Sequence, residues 1–228
     1  MDWKDIKLNK DQIGYSFNGQ QLFQKKFQIA MNFHKEGFAA VQDESGGYHI
    51  DMKGKSIYKQ RYLRTFGYYF NKAAVVDNSG AYHIDATGNP VYDERYIWIG
   101  NYQQDICVVK NTIGNYFHID SFGNRLYEED YKYAGDFKEN IACVQLFNGQ
   151  FTHIYKDGSL VHNKLFFDLN VYHKGYACAK DAKGWCHINL NGKPIYEARF
   201  AMLEPFYNGL ALATNFDGEK IVIDEMGN

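Results

Sequence analysis

Five histidines recur in register along the chain, His49, His83, His118, His153 and His187, spaced 34, 35, 35 and 34 residues apart. Neutral imidazole is a common metal ligand and titrates near neutrality, so five of them turned toward one axis would bind a metal ion or shuttle protons. The other reading is that each His ties its own strand to a neighbouring turn. Repetition favours the tie, because a catalytic centre needs different groups converging on one point, whereas a tie is needed once per repeat. Ser16 and Val222 stand at the equivalent positions near the two ends. That denies a complete ring and leaves a structural role intact. We read the five as structural and expect neither metal nor cofactor.

Less regular residues are better candidates for binding. His34 and His173 occupy equivalent positions, in Phe33-His34 and Tyr172-His173. The fourth and fifth repeats depart most from the pattern, with Tyr155 and Asn189 where others have Asp and His162 where others have Tyr. Packing alone would keep the common residue, so the stretch from Phe151 to His173 is the first place to look for a ligand. Neutral drift is the rival account. The candidate binding residues are His34, Trp98, Tyr155, His162, His173 and Tyr207. Glu94, Glu128, Glu129 and Asp130 lie beside aromatics and have the composition of a glycosidase pair, but nothing in the sequence sets their separation. Cys107, Cys143, Cys178 and Cys186 form no C-x-x-C pair, which points away from zinc and redox chemistry. Three of them sit in apolar strand cores, where cysteine behaves as a small hydrophobe.

The elements that position these groups are read from a glycine that returns as Gly19, Gly54, Gly88, Gly123, Gly158, Gly192 and Gly227. Each unit holds a short strand apolar at consecutive positions, such as Ala39-Ala40-Val41 or Ala142-Cys143-Val144, which must be covered on both faces. Its first residue is never larger than Cys, so it is expected to be the innermost strand. A glycine-containing hairpin turn follows, then the His strand, Tyr48-His49-Ile50-Asp51. Asp51-Met52-Lys53-Gly54 suits a type I turn. It leads to a third expected strand carrying Tyr58 and Tyr62, equivalent to Tyr92 and Tyr96, Tyr127 and Tyr131, His162 and Phe166, and Tyr196 and Phe200. A third aromatic follows six residues on: Phe33, Tyr68, Tyr102, Phe137, Tyr172 or Phe206.

These patterns predict an all-β chain of six tandem units of about 35 residues. Residues 1–12 form an N-terminal extension and 13–228 a single domain, since the unbroken register leaves no linker. The chain begins and ends in mid-unit, an offset that would let the N-terminal strands complete the last unit and close a propeller-like ring without open edges. Propeller blades of the WD40 type take about 40–45 residues, so an open stack of β-hairpins remains the alternative. The closed ring is preferred.

Tyr-His-Ile-Asp, Asp-x-x-Gly and the downstream Tyr together resemble the WG-repeat family of bacterial proteins, over residues 13–227. The signature Trp-Gly is mostly replaced, as by Gly47-Tyr48, Ala81-Tyr82 and Tyr116-Phe117, with Trp185 retained. The resemblance implies a β-repeat architecture and an interaction module within multidomain proteins. Composition agrees with binding rather than with polyanions: 25 basic against 27 acidic residues give a net charge of −2, without the basic excess of a nucleic-acid or anionic-membrane binder. No apolar run reaches the length of a signal peptide core or a membrane span. We expect a non-catalytic module for a protein or peptide, cytoplasmic unless exported by a non-classical route, and monomeric or part of a larger chain. Its aromatics, 17% of residues, would supply the binding surface. The alternative is an enzyme using His with a carboxylate in a pocket at the axis or concave face.

Overall fold

Ala39-Ala40-Val41 is apolar throughout because it lies in the middle strand of a three-stranded sheet. All three residues are buried in the computed structural model, which describes residues 2–228. The chain divides into two units, Met1–Gly114 with Ile119–Asn124, and Asn115–His118 with Arg125–Asn228. The first unit contains three complete antiparallel sheets. In chain order these are Ile6–Leu8, Tyr15–Phe17 and Gln20–Gln21; Ile29–Ala30, Phe38–Asp43 and Gly46–Asp51; and Arg64–Tyr69, Lys72–Asp77 and Gly80–Ile84. The strands Trp98–Ile99 and Cys107–Lys110 pair next. The second unit contains three more: Tyr133–Ala134, Ile141–Gln145 and Phe151–Tyr155; Asp168–Leu169, Ala177–Asp181 and Gly184–Ile188; and Met202–Leu203, Ala211–Thr214 and Lys220–Ile223. No α-helix occurs among the described residues, and no helix there is long and apolar enough to cross a membrane.

The small-residue strand is therefore the middle strand and not the innermost one. Ala40 opposes His49 and Ala142 opposes Ile154 in the hairpins that follow. A short strand two or three residues after the second aromatic completes each sheet on the other side, as Ile29–Ala30 does against Gln42 and Val41. The expected strand through Tyr58 and Tyr62 is not a ladder strand. Only isolated bridges, Ile50 to Ser56 and Gly47 to Tyr62, hold it. Arg61 explains the difference: its guanidinium donates to the carbonyls of Tyr58, Lys59 and Gln60 together, and three successive carbonyls aimed at one group cannot alternate across a sheet. Arg95 and Arg199 do the same in their units. The curl still brings Tyr58 and Tyr62 edge to face, ring centroids 5.9 Å apart.

The glycine period has a direct cause. A Cβ on Gly123 would lie 2.6 Å from Cβ of Tyr92, and the residue has φ +91°. The first aromatic of one unit thus rests on the bare α-carbon of the next turn, and the turn needs a left-handed residue there. Gly88 meets Tyr58, Gly158 meets Tyr127, and Gly192 meets His162 in the same way. Near the N-terminus the first sheet supplies its own outer strand, with Ile6 opposite Phe17 and Leu8 opposite Tyr15.

Candidate functional site

The five repeated histidines are fully buried; all five share one contact, and four of them share a second. Nε2 of His49, His83, His118, His153 and His187 faces the backbone carbonyl of Phe66, Gly100, Gly135, Asn170 and Glu204, at 2.7–3.0 Å. A carbonyl only accepts, so Nε2 carries the proton and Nδ1 is the acceptor. Nδ1 takes a hydrogen bond from the phenol of Tyr58, Tyr92, Tyr127 or Tyr196. The third aromatic of the unit packs on the imidazole, with centroids 4.6 Å apart for His49 and Tyr68 and 3.8 Å for His187 and Phe206. Burial lowers all five imidazoles to about 4, against which the carbonyl bonds act only in part. They are neutral, saturated ties between a His strand and the backbone 17 residues on. Among the described residues no three His, Cys, Asp or Glu side chains gather as a metal site.

In one unit the partner differs. His153 Nδ1 faces Nε2 of His162 at 3.2 Å, and the Lys164 amide donates to His162 Nδ1 at 3.3 Å. Because Asn170 fixes the His153 tautomer, His162 must carry its proton on Nε2. The result is a one-way chain, Lys164 N–H to His162 to His153 to the Asn170 carbonyl.

The His tie also aims side chains. The residues whose carbonyls accept from the imidazoles lie four positions beyond the second aromatic, and residues two and seven positions beyond it line the same groove. In the second unit these are Tyr133 and Asp168, then Gly135, Asn170 and Glu204, then Lys138, His173 and Tyr207. Together with Cys143, Phe151, Leu169, Val171, Pro205 and Phe206 they surround a cleft of about 830 Å³. In the first unit the matching groove is lined by Ile29, Met31, Ala40, Arg64 and Phe66 among others and measures about 70 Å³. Met31 and Phe66 fill the space that Gly135 and Asn170 leave open.

The cleft offers aromatic faces and a few polar groups. Lys138 Nζ donates to His173 Nδ1 at 3.3 Å, which leaves the His173 Nε2 proton as a donor. Neither Asp168 nor Glu204 forms an ion pair among the described residues. Burial raises the carboxyl of nearby Asp136, and it raises the Tyr133 phenol, with Cys143 and Asp136 adding to the effect. The Cys143 thiol, pushed up to about 12 by burial and donating to the Leu169 carbonyl at 3.2 Å, is no nucleophile at neutral pH.

Of the residues singled out in the sequence, His173 and Tyr207 line this cleft, Tyr207 with 74% of its surface exposed. His162 lies behind it in the His chain. Tyr155, 42% exposed at a strand end, does not line it. In the first unit, His34 stands at the position equivalent to Lys138, with its ring 4.7 Å from that of Tyr69. It sits over Gly67, where a Cβ would come within 2.2 Å of its Nε2. Burial lowers its pKa, partly offset by Glu36. Trp98, at the position equivalent to Tyr133, is 46% exposed. The sequence reading missed Tyr133, Gly135, Lys138, Asp168, Asn170 and Glu204. Aligning the units on their second aromatic would have found them, since none of these three columns keeps a common residue type.

The family model described as WG containing repeat matches residues 18–46 and 188–215. The two matched stretches are WG repeats. No curated protein matches the chain by sequence. Among solved structures it is similar to a eukaryotic initiation factor, at 10% identity over 98% of this chain and 71% of that one, with a TM-score of 0.61. It is also similar to BamB from Moraxella catarrhalis, at 12% identity over 94% and 74%, with a TM-score of 0.50. The WD40 β-propeller domain of Doa1 matches at 17% identity over 68% and 62%, with a TM-score of 0.37. Likeness at such identities bears on fold alone, and the fold here is all-β.

Proposed function

We propose that this WG-repeat chain is a non-catalytic interaction module that grips an extended segment of a partner protein in the cleft of its second unit. The observation that carries this reading is the contrast between two grooves built on one register, about 830 Å³ where Gly135 and Asn170 stand and about 70 Å³ where Met31 and Phe66 stand. Residues that hold the repeat together stay constant, while the columns facing the cleft change from repeat to repeat, as a surface shaped for a ligand would. The lining suits a peptide, with aromatic rings for apolar side chains and Lys138, His173, Asn170 and Glu204 for main-chain and polar groups. The neighbours' all-β scaffold supports a role as a platform, and their own ligands are not carried over.

Gly135→Phe tests the reading directly. The atoms nearest a Cβ there, the Cys143 carbonyl and the Tyr133 ring and hydroxyl, lie at 3.5 Å or more, and φ is not left-handed. A side chain therefore enters the cleft without disturbing the fold. Peptides selected by display against the parent chain should bind by calorimetry and lose at least tenfold in affinity on Gly135→Phe, the equivalent of about 1.4 kcal/mol, with the melting temperature unchanged. Selected peptides indifferent to Gly135→Phe would place recognition elsewhere and overturn the proposal.

A further inference from the structure

The substitution of His162 for the tyrosine of the other repeats changes what a proton does. In the tyrosine units a proton arriving at Nδ1 of the buried His meets a phenol oxygen, which accepts as readily as it donates. The bond reverses and survives. In the His153–His162 pair both lone pairs are already engaged, one by the His162 N–H and the other by the Lys164 amide. An added proton must set two N–H groups against each other, either between the rings or between His162 Nδ1 and the Lys164 nitrogen. Neither junction can reverse, because an amide nitrogen does not accept and the Asn170 carbonyl does not donate.

The side chains packed around the pair do nothing to accommodate the charge; backbone groups of Asn170, His162 and Lys164 favour it, but burial outweighs them. Tyr172 lies on His153 with centroids 4.3 Å apart, Phe166 lies edge-on to His162, Cys143 opposes His153 across the sheet, and the bare α-carbon of Gly192 lies under the His162 ring. Lys164 is the charged neighbour and acts against a proton on His162, as His162 acts against one on His153; no carboxylate acts on either. Burial is the largest cause holding both below the ordinary imidazole range. His162, 7% exposed where His153 is sealed, is the entry point.

We propose that the His153–His162 pair is an acid-operated latch: proton uptake breaks the chain from Lys164 to Asn170, and the cleft that Asn170 lines loosens as the medium acidifies. The loosening of the His chain stands on geometry alone, and its effect on a ligand rests on the cleft being the binding site. Opening exposes two imidazoles here and one in a tyrosine unit. Below about pH 6.5 the opening of residues 164–173 should therefore grow by an extra tenfold or so per pH unit relative to residues 94–103, the matching segment of the first unit.

Hydrogen–deuterium exchange of the full chain between pH 7.5 and 5.0, corrected for the intrinsic chemistry, measures this difference. His162→Tyr, which restores the common tie over Gly192, should abolish the extra dependence, and Tyr92→His should install it in 94–103. Equal pH dependence in the two segments of the parent chain, or an unchanged dependence in His162→Tyr, overturns the latch. If His162→Tyr does not fold, Tyr92→His decides. The display-selected peptides read the second half: they should leave the parent near pH 5 and stay on His162→Tyr. A peptide that binds the cleft and stays on the parent at pH 5 overturns the coupling while keeping the cleft, and a failure to obtain cleft-binding peptides removes the cleft while exchange still decides the latch.

Discussion

Lowering the pH from 7.5 to 4.5 should strip this fold of stability well before its carboxylates titrate. Each repeated imidazole falls from an ordinary 6.5 to about 4 in the folded chain, chiefly through burial. A folded pKa below the unfolded one means the unfolded chain takes the proton first. The stabilisation is complete above pH 6.5 and is lost as the pH falls toward 4. Each site is worth about 3 kcal/mol over that window, at about 1.4 kcal/mol per pH unit. His49 and His83 lie in the first unit, and His118, His153 and His187 in the second. Two or three such sites rival the whole stability of a typical domain, about 5–15 kcal/mol. Urea titrations at closely spaced pH values, followed by Trp98 and Trp185 fluorescence, should show midpoints falling steeply below pH 6.5. The carboxylates have a separate window. Burial pushes Asp77 and Asp120 up, but hydrogen bonds from Ser79 and Tyr82, and from Asn124 and neighbouring amides, outweigh it and hold both below the ordinary range. Their contribution goes only below about pH 4. Midpoints constant from pH 7 to 5 and falling only below 4 would show that the histidines are not buried neutral ties.

Three further outcomes check the same architecture. Tyr92→Phe keeps the ring on Gly123 but leaves His83 Nδ1 without its donor, and should cost about 1–3 kcal/mol by urea titration at pH 7.5; no loss would mean that the phenol does not serve the imidazole. Gly123→Ala should be far more destabilising than Gly149→Ala in thermal melts. Both have left-handed φ, but only the first meets Tyr92, while the second meets nothing within 4 Å. Ala142→Leu, at a fully buried position of a middle strand, should cost about 1–3 kcal/mol by overpacking, and an unchanged melt would deny the close packing there.

Much of the fold was legible because the physics that fixes it acts within a few residues. Consecutive small apolar residues at 39–41 call for cover on both faces, Asp51 and Gly54 call for a turn, and Asp51 Oδ1 indeed accepts from the amides of Lys53 and Lys55. The segment around Tyr58 was misread for a related reason. A spacing of four satisfies a strand's period of two, but it also fits a curl in which two rings meet edge to face. Arg61, three residues after Tyr58 and repeated as Arg95 and Arg199, was the available signal that carbonyls converge there.

The cleft was less legible because it is made by columns and not by any one stretch. Looking for breaks in an otherwise constant pattern led to Tyr155 and His162, which changed where others agree. The cleft residues had no common type to depart from: Met31, Phe66, Gly100, Gly135, Asn170 and Glu204 occupy one column with five residue types. Their backbone is nonetheless the most constrained in the repeat, since in five of the six the carbonyl accepts from a buried imidazole. The histidine tie asks nothing of the side chain on the residue it holds. It fixes where that side chain starts and leaves its identity open, which is why the same position can carry a repeated structural bond and a variable lining. On the function proposed above, the variable residues next to this repeated backbone contact would form the ligand face, and the repeated histidines the frame that presents it.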